Sequence, residues 1–233
     1  MGRRRTHIGN RLGLPDGRTA PCFPSNRHHK TGTFLFHTQS HTMTPGTSPD
    51  PALAKPKILG IAGWSGSGKT TLLTSLIPRL IASGLRVSTI KHAHHGFDLD
   101  RPGKDSWRHR EAGAHEVMLM GEARWALLHE PRADEEAPDL DRLVQRMAPV
   151  DVILVEGFRT YPHPKIEVYR PVTGKPPLWP DQRDIVAVAA SPFPLETQEN
   201  GMNKPCFLPL DDVQAVANWT IGFLSRYRYV APA

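Results

Sequence analysis

No apolar run in this sequence approaches the ~20 residues that a membrane-spanning helix needs. A membrane-embedded class is therefore not expected. Cysteine is scarce. Cys22 and Cys206 stand far apart and in no metal-ligand spacing, so neither a disulfide framework nor a thiolate zinc site is expected. A reducing, cytoplasmic setting fits that usage best. Residues 1–54 lack helix or strand periodicity, lack the continuous apolar stretch of a secretory signal, and lack the amphipathic pattern of an organelle-targeting peptide. Their Thr, Pro, His, Arg and Gly content cannot bury enough apolar surface to offset ordering entropy. They read as a disordered N-terminal extension, with Met43 as an alternative start of translation.

The charge is also unevenly spread. The net charge is +6 over 233 residues, but residues 1–50 hold seven Lys/Arg against two Asp. The remainder is close to balanced. The basic character belongs to the extension, so no nucleic-acid partner is expected for the folded part.

Residues 55–233 carry an alternating strand and helix pattern and read as one nucleotide-binding domain. Its most specific feature is Gly63-Trp64-Ser65-Gly66-Ser67-Gly68-Lys69-Thr70, an unbroken G-x-x-x-x-G-K-[ST] run followed by Thr71. It lies between a short apolar strand, Ile58–Ala62, and a helical pattern in which Leu72, Leu73, Leu76, Ile77, Leu80 and Ile81 share a face. Such a loop turns its backbone N–H groups inward around an anion, and the positive end of the helix dipole adds attraction. Gly63, Ser65, Gly66, Ser67, Gly68, Lys69, Thr70 and Thr71 form the expected nucleotide-binding set. In it, Lys69 reaches the terminal phosphates and Thr70 holds Mg²⁺.

Further along, Pro78 is expected to kink the helix, and Leu85–Ile90 reads as a second strand. Asp105-Ser106 caps a helix through about Ala112. His115–Met120 and Arg124–His129 read as strands, and a helix follows near Leu140–Met147. Val152–Val155 is apolar throughout, as suits the centre of a parallel sheet. Lys165–Arg170 alternates, with Ile166 and Val168 on one face. Ile185–Ala189 is another buried strand, Pro171–Pro180 and Pro192–Pro205 are irregular, and a final helix runs from Asp211-Asp212 to about Arg226. The expected fold is α/β, resembling P-loop NTPases: a doubly wound, mostly parallel sheet with helices on both faces.

Mg²⁺ beside a phosphate loop needs an acidic partner. Asp151 and Glu156 flank the Val152–Val155 strand. Ligands collect at the carboxyl ends of parallel strands, which favours Glu156. A second cluster follows the second strand: Lys91, His92, His94, His95, Asp98, Asp100, Lys104 and Asp105, with Arg108 beyond. Zinc is a weak reading, because His94 and His95 are adjacent and no Cys is near. Asp98, Asp100 and Asp105 are candidate metal partners, and Lys91, His94, Lys104 and Arg108 candidates for a second anionic ligand. Asn203-Lys204-Pro205-Cys206 begins like a guanine-reading element but lacks its final Asp. No glutamine stands where it would position water, so hydrolysis is expected to be slow.

These residues resemble the MobB family of molybdopterin-guanine dinucleotide biosynthesis adaptor proteins. The resemblance runs from about Lys57 to Leu224. It rests on Gly63–Thr71, Leu76-Ile77-Pro78, Lys91-His92 with His94-His95, and Phe97-Asp98 with Asp100. Gly103-Lys104-Asp105-Ser106, Ala112-Gly113-Ala114, Leu154-Val155-Glu156-Gly157-Phe158 and Pro164–Arg170 complete it. Arg159 stands where the family often has Lys. The N-terminal extension and Pro171–Pro180 are not part of the pattern. The resemblance implies GTP and Mg²⁺ as cofactors, weak GTPase activity and a homodimer. It also implies partnership with the molybdenum cofactor guanylyltransferase of the MobA family, with molybdopterin as a delivered ligand. The alternative is a P-loop small-molecule kinase, with Glu156 or Asp98 as catalytic base.

Overall fold

The computed structural model describes residues 55–93, 100–133, 135–192 and 204–227. The readings made on residues 1–54 and on His94, His95, Phe97 and Asp98 lie outside these residues. The chain divides into two units, a larger one flanking a smaller one that spans His92–Met147.

The larger unit is built on six strands: β1 (Lys57–Ala62), β2 (Val87–Lys91), β5 (Val152–Glu156), β6 (Lys165–Tyr169), β7 (Ile185–Ala190) and β8 (Cys206–Pro209). Their order is β2-β5-β1-β6-β7-β8, and every pairing is parallel. Contiguous Val/Ile/Leu/Ala runs form the central strands because both faces are covered. Leu59, Ile61, Leu154, Ile166, Val168, Ala187 and Leu208 form one core with helix α1 (Lys69–Ala82) and helix α4 (Val213–Arg226). On the other face, Ala62, Val188 and Ala190 pack with Leu178, Trp64 and Trp179. Helices were expected on both faces. Within this unit α1 and α4 share one, and the segment after β6 covers part of the other.

Four local readings are corrected. Ile81 was placed on the buried face of α1 but is 56% exposed, beyond the reach of the core near the helix end. The helix runs without interruption through Pro78, which is exposed. Strand β8 had not been anticipated at all. It is only four residues long, and its pairing with Ala187–Ala190 defines it. Cys206, at its start, is disulfide-bonded where the spacing led us to expect no such bond.

The alternation in β6 does not separate a buried from a solvated face, because Lys165 and Glu167 are buried as fully as Ile166 and Val168. Lys165 Nζ donates to the Tyr161 and His163 carbonyls at 2.7 and 3.0 Å and lies 3.4 Å from Asp184. Glu167 accepts from the N–H groups of Leu178 and Trp179 at 2.7 and 2.9 Å. Buried charges persist only when paired or hydrogen-bonded in this way. Burial, opposed by Asp184, lowers the Lys165 pKa, and burial, opposed by the two N–H donors, raises that of Glu167.

The smaller unit holds α2 (Asp105–Glu111), a β3–β4 hairpin (Glu116–Met120 and Trp125–His129) and α3 (Leu140–Gln145). The hairpin is antiparallel, with Glu116 opposite His129 and Met120 opposite Trp125. Asp105-Ser106 does not cap α2 as expected. Asp105 is the first helical residue, and the Ser106 hydroxyl donates to Asp100 Oδ1 at 2.7 Å. At α3 the Asp139 carboxylate accepts from the Arg142 N–H at 2.8 Å, an ordinary side-chain N-cap. Among the described residues no helix is long and apolar enough to cross a membrane.

Candidate functional site

The glycine-rich run forms the turn between β1 and α1. Gly63 has φ 137°, and a Cβ there would lie 2.6 Å from the Val168 carbonyl oxygen and 2.7 Å from Ser67 Oγ. Gly68 occupies the N-cap position in the left-handed region, at φ 97°. Glycine tolerates that conformation without a Cβ penalty. No side chain caps the first turn of α1, so capping leaves its N–H groups available to an anion. Ser67 is 2% exposed, and its hydroxyl has no hydrogen-bond partner among the described residues. A buried hydroxyl in that state carries a desolvation cost.

Lys69 Nζ donates to the Trp64 carbonyl inside the loop at 2.8 Å. Burial lowers its pKa, with Glu156 opposing and Lys91 assisting. The Thr70 hydroxyl lies 3.4 Å from both oxygens of Glu156. Register explains the meeting: Glu156 ends β5, pairs with Ile61 on β1 and with Lys91 on β2. Lys91 Nζ is 3.7 Å from Glu156 Oε1, and the Glu156 side chain is only 14% exposed. Asp151, the other acidic candidate, sits at the opposite end of the same strand. Its carboxylate takes the Arg86 N–H at 2.7 Å and the guanidinium at 3.1 and 3.2 Å. Those bonds to Arg86 hold its pKa below the ordinary value.

The family profile described as "Molybdopterin guanine dinucleotide synthesis protein B" matches residues 58–191, more than half of the chain.

The chain belongs to the MobB family.

The "Molybdopterin-guanine dinucleotide biosynthesis adapter protein" of Haemophilus influenzae is 47% identical over 141 residues, covering 60% of this chain and 76% of that protein. The Escherichia coli protein of the same description is 41% identical over 172 residues, covering 72% of this chain and 94% of that one. A crystal structure of a molybdopterin-guanine biosynthesis protein B superposes with a TM-score of 0.53 at 28% identity, covering 72% of this chain and 99% of that one.

The remaining expected residues fall in both units of this MobB chain. Lys91 is engaged by Glu156. Lys104 lies in the smaller unit, where it lines an open groove of about 590 Å³ with Arg101, Ser106, His109 and Val117–Met120. Arg108 is exposed and does not line that groove. Asp100 was read as a metal partner. Its carboxylate accepts from Ser106 at 2.7 Å and from the Arg101 N–H at 2.9 Å, and lies 3.6 Å from Arg110 Nε. His94 and Asp98 lie outside the described residues.

Two groups beside the loop were missed. The Trp64 indole N–H donates to the Pro176 carbonyl at 2.7 Å, and the Arg159 guanidinium lies over its ring at 4.8 Å. Trp64 occupies a variable position of the motif, so the pattern carried no signal for it. Arg170 follows β6, with its Nε 3.7 Å from a Cβ built on Gly68. The strand-end rule that singled out Glu156 applies equally to Arg170 and was not used there.

Proposed function

We propose that the chain binds Mg²⁺-GTP through Gly63–Thr71 and serves as an adaptor in molybdopterin guanine dinucleotide biosynthesis. Membership in the MobB family, whose relatives carry that description, supports the pathway and does not favour the kinase alternative. The observation that carries nucleotide binding is the convergence of Lys69, Thr70 and Glu156 where β1 and β5 end. Octahedral Mg²⁺ with ligands near 2.1 Å sets adjacent ligand oxygens about 3.0 Å apart. The Thr70–Glu156 separation of 3.4 Å is close to that spacing. Thr70 and Glu156 therefore suit the metal, directly or through its water. When bound, the ion neutralises charge on the phosphates.

Lys69 exchanges the Trp64 carbonyl for a phosphate oxygen, and the buried Ser67 hydroxyl belongs to the same loop. Arg170 adds a cation at the helix N-terminus. The preference for guanine rests on the family alone. Slow hydrolysis follows from the missing water-positioning glutamine. Lys104, with Arg101 in the same groove, remains our candidate for a second anionic ligand, molybdopterin. The partner is the guanylyltransferase, in the cytoplasm. The homodimer is supported by the hairpin, where Met118, Met120 and Trp125 are 62%, 86% and 67% exposed. A second copy would cover that apolar strand pair.

Titration calorimetry of the full chain with Mg²⁺-GTP and Mg²⁺-ATP tests the reading. Measurable GTP affinity that Lys69→Ala reduces by a few kcal/mol is expected, the cost of losing a charge-assisted contact. No binding of either triphosphate overturns it. Stoichiometric transfer of a labelled γ-phosphate to a small acceptor would restore the kinase reading.

A further inference from the structure

We propose that the base of the β3–β4 hairpin is a divalent metal site able to hold Zn²⁺, made by His115, His129 and Glu135. All three residues belong to the smaller unit.

His115 immediately precedes β3 and His129 ends β4. The Glu130 N–H donates to the His115 carbonyl at 2.9 Å, which holds the two histidines side by side. Their rings are 4.6 Å apart, tilted at 72°. Both Nε2 atoms face one carboxylate: His115 Nε2 is 3.6 Å from Glu135 Oε1, and His129 Nε2 is 3.4 Å from Glu135 Oε2. One donor atom from each residue falls within 4.8 Å of the other two. A charge-assisted N–H···O bond would be shorter, about 2.7–2.9 Å. The two separations, each to a different oxygen of the carboxylate, are close to the edge of a zinc tetrahedron. Zinc–nitrogen and zinc–oxygen bonds near 2.1 Å put neighbouring ligand atoms about 3.4 Å apart.

The surroundings orient these donors. His129 Nδ1 is 2.9 Å from Glu116 Oε1, which fixes Nδ1 as the protonated nitrogen and turns the Nε2 lone pair toward Glu135. Metal-bound histidines almost always have such a carboxylate or carbonyl behind them. Arg146 lies 3.5 Å from the same Glu116 oxygen and anchors it. The Arg132 N–H donates to Glu135 Oε2 at 3.3 Å, and the Glu135 N–H returns to the Arg132 carbonyl at 2.9 Å, so a tight turn presents the carboxylate. Two imidazoles and a carboxylate, without thiolate, suit Zn²⁺. Three protein ligands leave a fourth position for water or an exogenous donor.

The test uses the full chain, stripped with chelator and titrated with ZnCl₂ against a chromophoric competitor. Wild type should hold one Zn²⁺ that His129→Gln and Glu135→Gln both lose. Glu135 is in an exposed turn outside the hairpin, so its variant removes a ligand without touching a strand. Glu116→Gln should keep the site but weaken it roughly 10–100-fold, the usual cost of losing the group behind a ligating histidine. Cobalt(II) should give the intense visible bands of a tetrahedral ion in wild type and not in His129→Gln or Glu135→Gln. Lys69→Ala should leave zinc binding unchanged, so the outcome is independent of the nucleotide reading. Equal zinc stoichiometry and affinity in wild type, His129→Gln and Glu135→Gln would overturn the proposal. So would a lower melting temperature in the variants with no change in zinc affinity, which marks a plain ion pair.

Discussion

Acid should loosen the sheet beneath the phosphate loop through a single histidine. His163 is fully buried against β1, and a Cβ on Gly60 would lie 2.5 Å from its Nε2. Burial, and then the charge of Lys165, bring its pKa from 6.5 down to about 3, while the Tyr161 carbonyl, 3.0 Å from Nδ1, opposes the shift. The folded state therefore keeps the imidazole neutral where the unfolded chain takes up a proton. The stability this contributes is complete above 6.5 and is lost as the pH falls from there toward 3. Between pH 7 and pH 5 the unfolded state gains most of one proton, which costs the fold about 2 kcal/mol. For a chain of this size that lowers the melting temperature by roughly 4–8 °C. The assay is thermal unfolding of wild type and His163→Asn at pH 7, 6 and 5 at constant ionic strength. Asn retains an N–H donor but has no proton to gain. The gap between the two proteins should narrow by that amount toward pH 5. A gap that does not change with pH, or an NMR titration placing His163 above 6, refutes the reasoning.

Other outcomes follow from the same contacts. Gly63→Ala should abolish triphosphate binding in calorimetry, because its Cβ would meet the Val168 carbonyl at 2.6 Å in a left-handed backbone; retained affinity would show that the loop can adjust. Glu167→Ala should destabilise the fold by about 3 kcal/mol in urea unfolding, since it strands the buried Leu178 N–H and the Trp179 N–H. It should also expose residues 171–180 to protease; an unchanged midpoint and digest would count against it. Thr70→Ala should weaken Mg²⁺-GTP binding yet leave metal-free GTP affinity unaltered, and an equal loss with and without metal would remove Thr70 from the ion. Met120→Glu should shift the protein to monomer in sedimentation analysis if copies pair through the hairpin, and an unshifted profile would move the interface elsewhere.

The phosphate loop was legible because its chemistry is local. Eight consecutive residues set the glycine conformations, aim the backbone amides and place Lys69 and Thr70 on the first turn of α1. The strands β1, β5 and β7 were legible for a similar reason, since unbroken apolar runs leave few other fates. The helix α4 declared itself by period and by Asp212, whose side chain accepts from the Ala215 N–H at 2.9 Å. What depends on pairing between distant segments was not readable. Strand order and register sent Glu156 toward Thr70 and Asp151 toward Arg86; only the direction of the chain had favoured the former. The burial of Lys165 required the turn before β6 and Asp184, that of Glu167 required the segment after β6 to fold back over it, and β8 exists only as a neighbour of β7. His115, His129 and Glu135 meet because a hairpin closes and a turn returns to its base. Short-range backbone geometry is a property of adjacent residues, whereas a site or a buried charge pair is assembled by contacts whose cost and gain are settled only when the whole chain has packed.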